Sequence, residues 1–208
     1  MRERADPRQR VREAVDVRPV VAGPVASSVR SMLAEHPAWR EVRSAYGRCR
    51  PQDVGWLDEP IWSLWVDADR HVALLDSAAE AMGLEGLRDL GRRRLAAELK
   101  SGIFASIVRS WLRSFAEHPG YLLRVAPYLW RAGFRDCGEV TLAEAQDHML
   151  RYRLSGAPAN LRDSEAWRAL VEGFVQGLYE LAGVQGELHF ESEANASGVV
   201  EIVARWQP

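Results

Sequence analysis

Lysine is nearly absent from this chain: among 27 basic residues it occurs once, as Lys100. The remainder are arginine, a bias that reads as a GC-rich, bacterial genome rather than as a binding signal. Neither sign of charge dominates. The net charge is −2 and no long run of one sign occurs, which excludes the electrostatic footprint of a general nucleic-acid binder. Cysteine is scarce as well, with only Cys49 and Cys137, far apart and in no C-x-x-C pair. Two ordinary thiols in a reduced, cytoplasmic protein are expected, with a single disulfide as the lesser alternative. No stretch is apolar for long enough to span a bilayer. Residues 1–19 are arginine-rich but interleaved with Glu3, Asp6, Glu13 and Asp16, and they lack the apolar core of a signal peptide. A flexible, solvated N-terminal tail is expected there. No phosphate loop, dinucleotide fingerprint or nucleophile motif is present. No catalytic residue, no metal site and no cofactor are therefore expected, and an enzyme is the least favoured reading.

What is present is a chain of 208 residues, long enough to bury a substantial core. The patterning suggests one α+β domain over 20–208, with a helical part at 20–135 and a sheet part at 137–208. Val20 to Phe134 is helical almost throughout. Ser27 or Ser28 is placed to cap a first helix ending near His36-Pro37, and Trp39 to Tyr46 forms a second. Asp67 or Asp69 opens a third, with Val72, Leu75, Ala79 and Met82 on one face and Gly83 as its stop. Phe104, Ile107, Val108, Trp111, Leu112 and Phe115 follow helical spacing without a miss. From Cys137 the period changes to two. Gly138 to Leu142 and Met149 to Leu154 read as strands, with Leu150, Tyr152 and Leu154 on one face and Arg151 and Arg153 on the other.

The last forty residues are the most informative. Trp167, Leu170, Val171, Phe174, Val175, Leu178 and Leu181 form one apolar stripe of a long helix. Asp163 or Ser164 is its N-cap and Gly183 its stop. Leu188 and Phe190 then alternate with Glu187, His189 and Glu191, and Val199 to Trp206 is a second strand. The expected fold is a helical N-terminal layer on a mostly antiparallel four-stranded sheet, with one long helix between two strand pairs.

The helical run Gly173 to Gly183, followed by Glu191 to Gly198 and Val200 to Trp206, resembles the C-terminal half of 4-vinyl reductase-type small-molecule-binding domains. Pro127-Tyr128-Leu129-Trp130-Arg131 with Gly138 beyond it also resembles a paralogous family of myxobacteria. That resemblance implies a sensory module holding an apolar small molecule between helices and sheet. The chain departs from the first family in lacking cysteines between Glu193 and Ile202. A second similarity is to the haem-based nitric-oxide-binding fold, which also ends in strand, glycine-bearing helix and hairpin. Its tyrosine–serine–arginine signature on alternate strand residues is missing here, where Tyr152, Leu154 and Gly156 stand. His118, next to a proline, is the one candidate haem ligand, and a haem-based gas sensor is the remote alternative.

Candidate ligand-binding residues are Trp111, Trp130, Trp167, Phe174, Gly173 and Gly177. Aromatic rings line apolar ligand sites. Gly173 and Gly177, one turn apart, each cost about 1 kcal/mol against alanine in a helix interior, so either a backbone packs there or a ligand does. Glu144, Asp147 and His148 could gather a metal, but polar residues between strands usually make a turn. His189, Glu191 and Glu193 share one strand face, which is ordinarily the solvated one. A homodimerisation or signalling-partner module without ligand is the competing reading, since aromatic residues also build interfaces.

Overall fold

A computed structural model of the chain describes residues 18–61, 63–101, 119–191 and 198–207, without the side chains of 95–101 and 119. Most of the arginine-rich tail and the helix expected from Phe104 to Phe115 lie outside the described residues. The architecture is α+β, as the patterning predicts. Strands β4 (Glu139–Gln146), β5 (Met149–Ser155), β6 (Gln185–Glu191) and β7 (Val200–Gln207) form an antiparallel sheet in the order β4-β5-β7-β6. The long helix that joins the two strand pairs spans Glu165–Ala182 and is α7 here. A second, three-stranded antiparallel sheet is not evident in the sequence. It is made of β1 (Val20–Ala22), β2 (Trp65–Asp67) and β3 (Phe134–Arg135) in the order β2-β1-β3. Strands of two or three residues are too short for a period-two pattern to show; their backbone hydrogen bonds come from chain segments far apart in sequence.

The helices are α1 (Gly23–Ala34), α2 (Trp39–Cys49), α3 (Ala68–Ser101), α4 (Pro119–Leu123), α5 (Ala126–Gly133), α6 (Ala159–Asp163) and α7. Ser27 and Ser28 lie inside α1 rather than at its start. Its first turn carries Pro24 and has no side-chain cap, because proline needs no N–H partner there. Asp67 opens α3, its carboxylate accepting from the Asp69 N–H at 2.8 Å. Gly83, with φ 73° and ψ 170°, breaks α3 where a stop was expected, since few other residues enter that region without strain. The break turns the helix enough to bring Arg94 from its second half within electrostatic reach of His71 from its first.

Ser164 caps α7, accepting from the Trp167 N–H at 3.1 Å and donating to Asp76 Oδ1 of α3 at 2.9 Å. Gly183 closes the helix in the left-handed region with φ 68°. A single core joins these parts. Leu150, Tyr152, Leu154, Val200, Ile202 and Ala204 face it from the four-stranded sheet, Val21 from the small sheet, and Leu33, Tyr46, Leu74, Leu75 and Leu87 from the helices. Both cysteines are free thiols, Cys137 buried and Cys49 exposed. Among the described residues no helix is long and apolar enough to cross a membrane.

Candidate functional site

Four rings, one each from α5, β3, α7 and β6, meet where α7 begins. Trp130 on α5 stacks on Phe134 of β3 with centroids 4.2 Å apart, and its edge meets Trp167 at 5.8 Å. Trp167 in turn meets Phe190 of β6 at 5.5 Å. The Trp130 indole N–H donates to the Gly138 carbonyl at 2.9 Å, so its one polar group is satisfied. Trp130 and Trp167 are thus brought together. Phe174 is half-buried against the core about two turns further along α7. Trp111 and His118 lie outside the described residues.

Gly173 and Gly91 make the seam between α7 and α3. A methyl group on Gly173 would overlap the Arg88 carbonyl oxygen, and one on Gly91 would overlap that of Leu170. At Gly173 the space is therefore taken by backbone, the close-packing alternative for an interior helical glycine. Arg88 also reaches across this seam to Glu172 at 2.7 Å. Gly177 is buried on the same helix.

The inward face of β5 is apolar apart from one hydroxyl. Tyr152 donates from its OH to the Leu123 carbonyl of α4 at 2.7 Å, and burial pushes its pKa up, so it stays a neutral donor. Leu154 is fully buried beside it. His71, which no sequence motif marks, is a further buried polar group. Only 1 % of it is exposed and its Nδ1 has no hydrogen-bond partner among the described residues. Desolvation, aided by Arg94, lowers its pKa to about 3, so the imidazole is neutral. A lone histidine on an apolar helix face gives no signal in sequence that separates it from an exposed one.

The outward face of the sheet is a charge ladder. Arg151 bridges Glu144, Glu191 and Glu201 at 3.5, 3.0 and 2.8 Å, and Arg153 joins Glu201 at 3.1 Å. His189 pairs with Glu187 at 3.0 Å on exposed positions of β6, the solvated face its alternation predicts. Glu193 lies outside the described residues. Among those described, no group of three or more histidine, cysteine or acidic side chains is placed to hold a metal. Asp147 and His148 form the β4–β5 turn. Beside that turn, at the end of the sheet, opens a concavity of about 450 Å³ lined by Gly120, Tyr121, Arg124, Gln146, Asp147, His148 and Trp206. It adjoins a second of about 680 Å³ that shares Gln146, Asp147, His148 and Trp206 and adds Arg205. Arg124 belongs to no motif and Trp206 reads in sequence only as the end of a strand, and only folding sets them around one space.

This arrangement of helical layer, joining helix and four-stranded sheet is the fold of H-NOX domains, and the likeness spans nearly the whole chain. The chain is similar to the unliganded Fe(II) H-NOX protein from K. algicida with a TM-score of 0.61 at 10% identity, over 90% of this chain and 97% of that one. An oxygen-binding H-NOX domain related to soluble guanylate cyclases gives 0.57 at 11% identity, over 90% and 95%. A mutant form of T. Tengcongensis H-NOX gives 0.54 at 11%, over 90% and 98%. No family model matches the chain, and no curated protein does. These neighbours overturn the resemblance to 4-vinyl reductase-type domains and, with it, the myxobacterial grouping drawn beside it. The residues that carried it form a helix and hairpin, a pattern that different small domains share. The neighbours instead match the N-terminal helical layer together with the sheet.

Proposed function

We propose that the chain is a sensory module that binds a small molecule, built on the fold of haem-based gas sensors. The observation that carries this reading is the extent of the likeness: 89% to 90% of the chain follows domains described with Fe(II), oxygen or haem. Haem is accordingly the first ligand to test, and the gas-sensor reading takes precedence over an unspecified apolar ligand. The residues of β5 and the turn after it do not supply an anchor for haem carboxylates. The Tyr152 hydroxyl is committed to Leu123, Leu154 is buried and apolar, and Gly156 has no side chain. The candidate axial ligand, His118, lies outside the described residues. The same β5 residues favour a second reading, an uncharged apolar ligand walled by Trp130, Trp167 and Phe174. In either case the output passes to a signalling partner or a second copy of the chain, within one domain spanning 20–208.

The test is to purify the chain from haem-replete cells, record its absorption spectrum, and measure its mass under native conditions. A Soret band with a matching mass increment supports the haem reading, and a different bound mass supports the apolar one. A persistently ligand-free protein that also takes up no added haem overturns both.

A further inference from the structure

Most of the described arginines are committed: Arg43, Arg70, Arg88, Arg131 and Arg151, among others, pair with carboxylates. Arg124 is an exception. Among the described residues its guanidinium has no ion-pair or hydrogen-bond partner, yet it lines the sheet-end concavity. Asp147, on the same wall, is equally without such a partner among them, and the two do not pair with each other. Opposite charges that face one space and stay apart leave room for something carrying both signs between them. The rest of the lining is largely aromatic. Trp206 is 5 % exposed, is held against the Gly120 backbone, where a methyl group would come within 2.9 Å of its ring, and meets His148 edge-on at 6.1 Å. Its position is also fixed by its backbone N–H, which donates to the His148 carbonyl at 3.1 Å. Trp206 is therefore fixed in place while the two charges at the rim are unpaired among the described residues, as in a site formed before its ligand arrives.

We propose that this concavity binds a free α-amino acid with an aromatic or apolar side chain, its carboxylate on Arg124, its ammonium on Asp147 and its side chain against Trp206 and His148. The volume of about 450 Å³ holds such a molecule with water around it. The site is separate from the aromatic cluster of Trp130 and Trp167 and stands whether or not haem binds.

Calorimetry on the full chain tests it with three probes: L-phenylalanine, phenethylamine, which lacks the carboxylate, and 3-phenylpropionate, which lacks the ammonium. L-phenylalanine is expected to bind roughly tenfold tighter than either truncated probe, the contribution of one charge-assisted contact. Arg124→Gln should erase its advantage over phenethylamine and leave that over phenylpropionate. Asp147→Asn should do the reverse. Arg205→Gln, which alters only the neighbouring concavity, should leave all three affinities unchanged. Both rim positions are exposed and circular dichroism checks each variant; if one fails to fold, the wild-type ranking of probes decides alone. Failure of L-phenylalanine to bind at millimolar concentration, or equal binding of all three probes, overturns the proposal.

Discussion

The seam between α3 and α7 and the outer end of the sheet are opposite solutions to the same problem of placing polar groups. At the seam, Gly91 and Gly173 bring two helices into backbone contact, and the charges beside them are paired across it, Arg88 with Glu172 and Arg92 with Glu180. At the sheet end the surface stands open, and Arg124 and Asp147 have no pairing among the described residues. Fully satisfied, closely packed regions contribute stability, because any added atom displaces neighbours. Open regions with unpaired charge contribute little to stability and are free to recognise something.

That contrast breaks if the seam tolerates bulk. Gly173→Ala places a methyl onto the Arg88 carbonyl, so the helices must separate. A loss of about 2–3 kcal/mol is expected, net of the roughly 1 kcal/mol alanine gains in helix propensity, read from urea unfolding. A change below about 0.5 kcal/mol would show that the seam is not tightly closed.

The buried histidine gives the next largest effect and has a definite sign. His71 has a lowered pKa in the folded state, about 3 against an ordinary 6.5. Well above pH 6.5 both folded and unfolded states hold it neutral, so it adds no pH dependence. As pH falls through that value the unfolded state takes up a proton that the folded state refuses, and stability declines until the folded group titrates. The expected slope approaches ~1.4 kcal/mol per pH unit between about pH 6 and 4. His71→Leu should flatten the dependence of stability on pH over that interval, and an unchanged slope would place the proton uptake elsewhere.

Tyr152→Phe removes the donor that ties β5 to α4 and leaves the Leu123 carbonyl without it. About 1–2 kcal/mol should be lost, measured by thermal unfolding, because a buried acceptor without a partner bears a desolvation cost. A full-stability variant would mean that water replaces the hydroxyl. At the small end, Arg153→Gln on the exposed ladder should leave the unfolding midpoint within experimental error, since solvent-exposed ion pairs contribute little. A clear drop would show that the outer face of the sheet is as structurally committed as the seam.

Much of the fold is legible in the sequence because it is written in local periodicity. The stripe from Trp167 to Leu178, a cap at Asp163 or Ser164, the Gly183 stop and the alternation of Leu150, Tyr152 and Leu154 each follow from local residue pattern; the structure picks Ser164, and it leaves Leu181, expected on the same stripe, exposed. The three-stranded sheet is not legible, since Val21 pairs with Val66 and Phe134, segments separated from it along the chain by whole helices. The candidate site is legible only in part. Trp130 and Trp167 stand out as tryptophans and do meet, while Arg124 and His71 belong to no motif, Trp206 reads only as the end of a strand, and all three reach their surroundings only after folding.

The family resemblance drawn on the last forty residues fails for the same reason that the local pattern succeeds. A helix and hairpin are specified within one segment, so unrelated small domains arrive at the same run of apolar spacings. By itself the sequence determined the α+β class, the antiparallel strand pairs and the capped helix between them, because hydrogen bonding and burial within each element depend on near neighbours. Tertiary structure decided between the two family resemblances in favour of H-NOX domains, and it alone decided the backbone contact at Gly173 and the pairing of an aromatic floor with two unpaired charges. Those depend on which distant segments share a surface, and no spacing along the chain encodes that.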